Sequence, residues 1–259
     1  MVRLVWLAQR PAGHRLAGLP ADRIRLHPAI SGLDGGTGSL PAPAGRVIAG
    51  PARLMTTNRN QAFALLLIDM QRDFWPDDIA ADFPELGERT QRLREFCAAE
   101  GIEVIHLQAV FSPDGSDWMP RYRLLGRVPC VRGSGGEAVL PWAEPRPGEK
   151  VIEKQVFDGF RTPQLLPYLR ERGKRFLLTA GIETSVCVLS TTLSAMQLGF
   201  LAAVVSDCCA DWPAKHAHVL SSYPFAFDTV TTEELAEALP RWRQQTRDSD
   251  PDSALDSGQ

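Results

Sequence analysis

The amino-acid sequence lacks the features that mark several broad classes of protein. No apolar run reaches the roughly 20 residues that a membrane-spanning helix needs. The first residues of the chain form a weakly apolar stretch, but Arg10 interrupts it too early for a secretory signal peptide. The five cysteines include no Cys-x-x-Cys pair and show no framework spacing, which argues against a disulfide scaffold and favours a reducing cytoplasm. With a formal net charge of −3 the chain has no basic excess, so no nucleic-acid partner is expected.

Composition divides the 259 residues into three parts. Residues 1–60 are rich in Pro, Gly, Ala and Arg without sustained periodicity, and we predict a loosely ordered extension there. Met55 lies directly before the patterned region, so it is an alternative to Met1 as the true start of the protein. Residues 61–242 carry the pattern of one folded domain, and residues 243–259 form a polar tail that is predicted to be disordered.

Apolar runs alternate with helical patterns through the folded part. The run from Ala62 to Asp69 is uninterrupted and ends in a carboxylate, which is typical of a central parallel strand buried on both faces. Further strands are predicted at 102–108, 151–154, 175–180, 201–207 and 229–232, and helices at 85–99, 163–172, 186–196, 214–223 and 233–242. This alternation predicts an α/β fold with a doubly wound parallel sheet and helices on both faces.

Three chemically capable side chains lie at the ends of separate predicted strands. They are Asp69, Lys154 and Cys187, the last near the start of the helix that ends before Gly199. Because the carboxyl ends of parallel strands meet at one edge, the three can converge. Each also has an ordinary structural interpretation: a helix-capping Asp, a solvated Lys and a small buried Cys. Together they would supply a nucleophile, a base and a cation that favours the thiolate.

The same three positions carry a family resemblance. Leu66-Leu-Ile-Asp-Met-Gln-Arg-Asp-Phe74, Glu153-Lys-Gln-Val-Phe-Asp-Gly-Phe160 and Gly181-Ile-Glu-Thr-Ser-Val-Cys-Val188 resemble, in order, the three motifs of the isochorismatase-like cysteine hydrolases. The resemblance covers about residues 62–240. It implies a three-layer, Rossmann-like fold with a mostly parallel six-stranded sheet. The family includes nicotinamidases, N-carbamoylsarcosine amidases, ureidoacrylate and biuret hydrolases, isochorismatases and a hydrolase that opens the streptothricin lactam.

The resemblance implies a catalytic triad and an oxyanion hole. Cys187 would attack an amide carbonyl carbon, Asp69 would take the thiol proton and pass it to the leaving amine, and Lys154 would lower the thiol pKa. The oxyanion hole would consist of the backbone N–H groups of Glu183 and Cys187. A cis peptide bond is expected between Ile182 and Glu183, where it would aim the first of these donors.

Two departures from family patterns narrow the expected reaction. The metal-binding nicotinamidases carry an Asp-x-His and further His residues between the first two motifs, where this chain has only His106, so we expect neither a metal nor a cofactor. His216 and His218 form the only close His pair, and their spacing predicts a surface location. Isochorismatases that cleave a vinyl ether typically lack the motif Cys, so the presence of Cys187 favours C–N hydrolysis.

The substrate is not fixed by the sequence. Residues near the motifs that are predicted to bind it are Gln71, Phe74, Trp75, Trp118 and Phe157. Ordinary core packing is the alternative for Trp75 and Phe157, and Gln71 could instead cap a helix. The long connection between residues 109 and 149, above all 111–136, is the expected source of specificity.

These observations predict a metal-independent cysteine hydrolase that cleaves an amide, ureido or lactam C–N bond through a thioester. One alternative is isochorismate-type vinyl-ether hydrolysis. Another is a catalytically silent, oligomeric binding or scaffold protein of the same fold. The resemblance also implies a homo-oligomer, either a dimer or a tetramer.

Overall fold

The structure, a computed structural model, describes residues 59–249. The prediction of a loosely ordered extension and the choice between Met1 and Met55 concern residues that lie almost wholly outside this range. The same holds for residues 250–259 of the predicted tail. No helix within residues 59–249 combines the length and the apolar character needed to cross a membrane.

One six-stranded sheet, parallel throughout, forms the centre of the fold and confirms the predicted class. Its order is β3-β2-β1-β4-β5-β6. The strands are β1 (Phe63–Ile68), β2 (Glu103–Ala109), β3 (Lys150–Lys154), β4 (Phe176–Ile182), β5 (Leu201–Ala210) and β6 (Asp228–Val230). The chain winds outward from β1 to β3 and then restarts at β4. Because crossover connections are right-handed, this reversal puts helices on both faces of the sheet.

Seven helices connect or cover the strands within the described residues. They are α1 (Asp77–Asp82), α2 (Leu86–Glu100), α3 (Pro120–Leu125), α4 (Leu165–Glu171), α5 (Leu189–Gln197), α6 (Pro213–Ser222) and α7 (Leu235–Asp248). Helix α3 lies within the connection between β2 and β3, which therefore has local structure of its own. Most boundaries fall within two residues of the prediction.

The last helix is longer than predicted, because it ends at Asp248 rather than at Trp242. Trp242 is fully buried, and its indole N–H donates to Asp228 Oδ2 at 2.6 Å. One helical turn later Thr246 is buried as well, and its hydroxyl donates to the Trp242 carbonyl at 2.7 Å. The apolar stripe therefore continues past the point at which the polar composition of the tail begins.

The core explains why the first strand reads as an uninterrupted apolar run. All six residues of β1 are at most 1% exposed, since the strand lies between β2 and β4 and both its faces are covered. Phe63 stacks on Phe176 of β4 with ring centroids 5.0 Å apart, and Phe176 in turn packs against Trp242 of α7. The two rings belong to the first paired residues of β1 and β4, and the register continues to Ile68 opposite Gly181, so the two strands end side by side.

Candidate active site

The three predicted residues lie at the carboxyl ends of β1, β3 and β4. Asp69 follows β1, Lys154 is the last residue of β3, and Cys187 lies in the turn after β4. Strands β1 and β4 are neighbours at the point where the winding of the sheet reverses. Ligands of open α/β sheets bind in the crevice at this switch point. The three side chains are at most 5% exposed.

A buried ion pair joins two of them. Lys154 Nζ donates to Asp69 Oδ2 at 2.7 Å and to the Val156 carbonyl at 2.9 Å. Burial opposes the charge on the ammonium, but the charge and the hydrogen bond of the neighbouring Asp69 outweigh it, and the pKa of Lys154 is raised. Asp69 Oδ1 is buried and has no hydrogen-bond partner among the described residues. A buried carboxylate oxygen of this kind is available to accept a proton.

Cys187 is held as a neutral thiol. Burial raises its pKa well above the ordinary value, the Asp69 carboxylate raises it further, and Lys154 lowers it. The predicted effect of Lys154 is present, but desolvation and the carboxylate together exceed it, so the net shift is away from the thiolate. A nucleophile in this state needs a base that removes its proton during attack.

Backbone geometry sets the positions of Asp69 and of the end of β4. Asp69 has φ 52°, a left-handed conformation that turns the chain sharply at the end of β1, and its N–H donates to the Leu107 carbonyl at 2.8 Å. Gly181 has φ 149°, and a Cβ there would lie 2.0 Å from the Ile68 carbonyl oxygen. Only glycine therefore allows β4 to approach β1 this closely.

The turn that carries Cys187 has an unusual backbone. The peptide bond between Ile182 and Glu183 is cis, and one turn of π-helix, Thr184–Val188, precedes α5. The N–H groups of Val186 and Val188 both donate to the Glu183 carbonyl at 3.2 Å. π-turns of this kind occur frequently at functional sites.

Two polar residues from the next crossover support this turn. Asp211, which is fully buried, accepts from the Ser185 N–H at 2.8 Å. His216 Nδ1 is 2.9 Å from the Thr184 hydroxyl, and the His216 ring packs edge-on against Phe83. His216 is half-buried, so the predicted surface location is wrong for it, although His218 is exposed. Burial lowers the pKa of His216, which favours the neutral ring.

Tyr122 of α3 is a site residue that the sequence analysis missed. It is 8% exposed, and its ring packs edge-on against Phe111 at 5.6 Å and Phe157 at 6.3 Å. Burial raises the pKa of its phenol, and the nearby carboxyl groups of Glu183 and Asp69 raise it further. The phenol therefore lies within electrostatic range of the candidate site. An isolated Tyr in a long connection gives no pattern that would have identified it.

The side chains predicted to bind substrate have different surroundings in the structure. Gln71 is fully buried, donates to the carbonyls of Ala109 and Glu137 at 2.8 Å, and accepts from the Ala109 N–H at 2.8 Å. Its amide holds the backbone of two segments together rather than a ligand. Trp75 packs edge-on against Trp142 at the main core. Three of the predicted aromatics do pack around Tyr122 or its cluster: Phe74, Trp118 and Phe157.

Within residues 59–249, no group of three or more His, Cys, Asp or Glu side chains is arranged to hold a metal ion. His106 is buried in β2 and pairs with Glu149 at 2.7 Å.

A sequence model of the isochorismatase domain matches residues 63–234. The chain belongs to the isochorismatase family.

Relatives of this isochorismatase-family chain include amidohydrolases. The maleamate amidohydrolase of Pseudomonas putida is 27% identical over 155 residues, which cover 57% of this chain and 72% of the relative. The ureidoacrylate amidohydrolase RutB of Stutzerimonas stutzeri is 29% identical over 170 residues, with 56% and 68% covered.

Solved structures share the fold. An isochorismatase family protein from Desulfovibrio vulgaris subsp. vulgaris str. Hildenborough is 29% identical with a TM-score of 0.63, and 70% of this chain and 99% of that chain are covered. The N-carbamoylsarcosine amidase from Thermoplasma acidophilum is 22% identical with a TM-score of 0.56, and the match covers 66% and 97%.

Proposed function

We propose that this isochorismatase-family hydrolase cleaves a C–N bond of a small amide, ureido compound or lactam through a thioester on Cys187. The observation that carries the proposal is the neutral Cys187 thiol beside the Asp69–Lys154 ion pair. A buried thiol whose pKa is raised is a poor spontaneous nucleophile. Next to a carboxylate with a free buried oxygen, however, it can lose its proton as it attacks.

The reaction proceeds in two halves. Sγ of Cys187 bonds to the carbonyl carbon while Asp69 Oδ1 takes the thiol proton. Asp69 then gives this proton to the nitrogen as the C–N bond breaks, which releases the amine and leaves a thioester. A water that Asp69 deprotonates attacks the thioester, the S–C bond breaks, and the proton returns to sulfur. Lys154 provides the counter-charge to the Asp69 carboxylate through its 2.7 Å contact with Oδ2.

The developing oxyanion is bound by the N–H groups of Glu183 and Cys187. Neighbouring N–H groups in this turn already have acceptors, because Ser185 donates to Asp211 and both Val186 and Val188 donate to the Glu183 carbonyl. One such donor is typically worth about 2.7–4 kcal/mol of transition-state stabilisation.

The named relatives support the C–N bond as the target, since maleamate and ureidoacrylate amidohydrolases are among them. A homo-oligomer, dimer or tetramer, belongs to the same proposal. Two other functions compete with it: vinyl-ether hydrolysis of the isochorismate type, and a silent scaffold.

The test is ammonia or amine release from a panel of amides, ureido acids and lactams, with purified wild type and Cys187→Ala. We expect the substitution to reduce kcat by at least about 10³-fold without unfolding the protein. Cys97→Ala, which removes another fully buried thiol from α2, is the matched control and should retain activity. Hydrolysis of isochorismate that survives Cys187→Ala would support the vinyl-ether alternative. A wild type inert toward the whole panel would support the scaffold.

A further inference from the structure

The ammonium of Lys154 is held partly by the main chain that follows β3. Its Nζ donates to Asp69 Oδ2 at 2.7 Å and to the Val156 carbonyl at 2.9 Å. The carbonyl belongs to residues 155–159, the loop between β3 and the next short helix, so the position of the ammonium depends on where this loop lies. The 155–159 loop is therefore a part of the site.

The first end of the 155–159 loop is fastened to the end of β2. The Val110 N–H donates to the Lys154 carbonyl at 3.1 Å, and Gln155 Nε2 donates back to the Val110 carbonyl at 3.0 Å. These bonds fix the loop to the side of the sheet that carries Lys154.

The other end of the loop is fastened to α5, the helix that follows the Cys187 turn. Asp158 caps the short 3₁₀-helix Gly159–Arg161, because its Oδ1 accepts from the Phe160 N–H at 2.9 Å. The second oxygen of this carboxylate, Oδ2, accepts from the Ser194 hydroxyl of α5 at 2.7 Å. Asp158 thus holds its own loop with one oxygen and the helix of Cys187 with the other.

A neighbouring backbone contact reinforces this link. The Gly159 N–H donates to Thr191 Oγ1 of α5 at 3.0 Å, and both residues are buried. A Cβ at Gly159 would lie 2.5 Å from Leu107 Cδ1 of β2, so the loop passes close to the sheet at this point. Both hydrogen bonds therefore join the loop that binds the Lys154 ammonium to the helix that begins beside Cys187.

We infer that Asp158 is a positioning residue, which together with Ser194 sets the place of the Lys154 ammonium relative to Cys187. It acts through the 155–159 loop and the Val156 carbonyl. This inference rests on the proposed function, in which the ammonium is the counter-charge of the base and stands near the thiol. A shift of the ammonium by a fraction of an ångström would weaken both interactions, since catalysis depends on groups held in the productive geometry.

The first experiment observes the Lys154 ammonium without any substrate. In ¹H–¹⁵N spectra recorded for lysine side chains, ammonium groups that exchange slowly with water give sharp signals. Lys154 is 1% exposed and Lys174 is 7% exposed, so both should be visible, and Lys154→Arg assigns the first. Lys174 binds the carbonyls of Gln61 and Phe63 at the opposite end of the sheet and is the internal control.

Variants of the link should change the Lys154 signal alone. In Asp158→Ala we expect the signal to shift and its exchange with water to accelerate about fivefold or more, which is the effect of losing one hydrogen bond. Ser194→Ala should act in the same direction. The double variant should not exceed Asp158→Ala, because the hydroxyl acts through the carboxylate. Asp158→Asn should restore the signal, since its amide can both accept from Phe160 and bond to Ser194.

Asp114→Ala is the matched control. Asp114 Oδ1 also accepts from a backbone N–H two residues ahead and from a serine hydroxyl, both of Ser116, at 3.0 and 2.7 Å on an exposed loop. Its substitution should leave the Lys154 signal unchanged. An unchanged signal in Asp158→Ala, or an equal change in Asp114→Ala, would overturn the inference. If Asp158→Ala does not fold, Ser194→Ala decides by the same criterion, because it removes one hydroxyl from a half-buried position.

The second experiment uses the amide of the panel that the wild type hydrolyses fastest. We expect Asp158→Ala to lower kcat about tenfold with less than a twofold change in KM, and Asp158→Asn to restore kcat. A loss confined to KM would overturn the inference but leave the proposed function intact. A wild type inert toward the whole panel would instead overturn the proposed function, and the Lys154 signal would still decide whether Asp158 positions the ammonium.

Discussion

The two sides of the candidate site are held by different means. On the strand side, Asp69, Lys154 and Cys187 are attached to the ends of parallel strands, so the main-chain hydrogen bonds of the sheet set their spacing. On the loop side, Tyr122 is attached to a six-residue helix within the connection between β2 and β3. That connection is fastened by side chains such as Gln71 and Asp73, which bond to its backbone.

The difference suggests a division of roles between the two sides. Chemistry needs groups fixed within a fraction of an ångström, which a buried parallel sheet provides. Recognition of a particular substrate can change with a loop while the sheet stays the same. Substitutions on the strand side should therefore affect kcat or folding, and those on the loop side should mainly affect KM.

The largest expected effect is on the strand side. Asp69→Asn removes the base but keeps the backbone, because Asn also tolerates the φ of 52° found there. We expect kcat to fall about 10²–10⁴-fold with a native circular dichroism spectrum. Asp73→Asn, on the loop side, keeps an oxygen that can accept from the Cys130 N–H and should change kcat little. Equal losses in the two variants would contradict the division of roles.

The next effect is on folding. In Gly181→Ala, the added Cβ would meet the Ile68 carbonyl oxygen at 2.0 Å, in a conformation that L residues rarely adopt. We expect a loss of about 4 kcal/mol or more in the free energy of unfolding, measured by denaturant titration.

Gly199→Ala is the matched control for that clash. Gly199 also has a positive φ, of 90°, but a Cβ there meets no atom within 4 Å. Its substitution reports the conformational cost alone and should destabilise the protein by much less. Similar losses at the two positions would show that the close approach of β1 and β4 does not matter.

A loop-side change should act more moderately. Gln71→Leu replaces the amide by a shorter apolar side chain and removes three hydrogen bonds to Ala109 and Glu137. We expect about 2–3 kcal/mol of destabilisation and a KM raised several-fold, with a smaller change in kcat. The control is Gln197→Leu on the exposed side of α5, which should be neutral in both measurements. An unchanged KM would mean that the connection does not shape the substrate site.

The two sides also differ in how far the sequence predicts them. The uninterrupted run before Asp69 predicts a buried strand, and the parallel order then requires strand ends to share an edge. The convergence of Asp69 and Lys154 follows from this rule although the residues are 85 positions apart, whereas their direct ion pair was seen only in the structure. The net pKa of Cys187 could not be predicted in the same way, because it depends on how completely the site excludes water.

The loop side is held by contacts between residues far apart in the sequence, and such contacts produce no local sequence pattern. Gln71 reaches acceptors 38 and 66 positions away, so its structural role cannot be told from its neighbours in sequence. Tyr122 lies on a short helix without amphipathic periodicity. The predicted surface location of His216 is wrong because its i, i+2 spacing with His218 concerns α6 alone. The hydrogen-bond partner of His216 is Thr184, which belongs to the turn after β4.

The smallest expected effect tests Glu183, which lies between β4 and the turn that carries Cys187. Burial raises the pKa of Glu183 above its unfolded value, so the native state binds its proton more tightly than the unfolded chain. The ionised Glu183 carboxylate therefore destabilises the native state. This destabilisation is absent below about pH 4, the ordinary range of a Glu carboxyl, and grows as the pH rises through the native pKa. Glu183→Gln should raise Tm by about 1–3 °C at pH 7.5 and leave it unchanged at pH 4.

Glu234→Gln gives the opposite sign in the same protein. The backbone N–H and hydroxyl of Thr231 lower the pKa of Glu234, so its carboxylate stabilises the native state above the unfolded pKa and loses this effect in acid. This variant should melt at a lower temperature than wild type at pH 7.5 and converge with it toward pH 3. If the two difference curves share a sign, burial does not destabilise the Glu183 carboxylate in the native state.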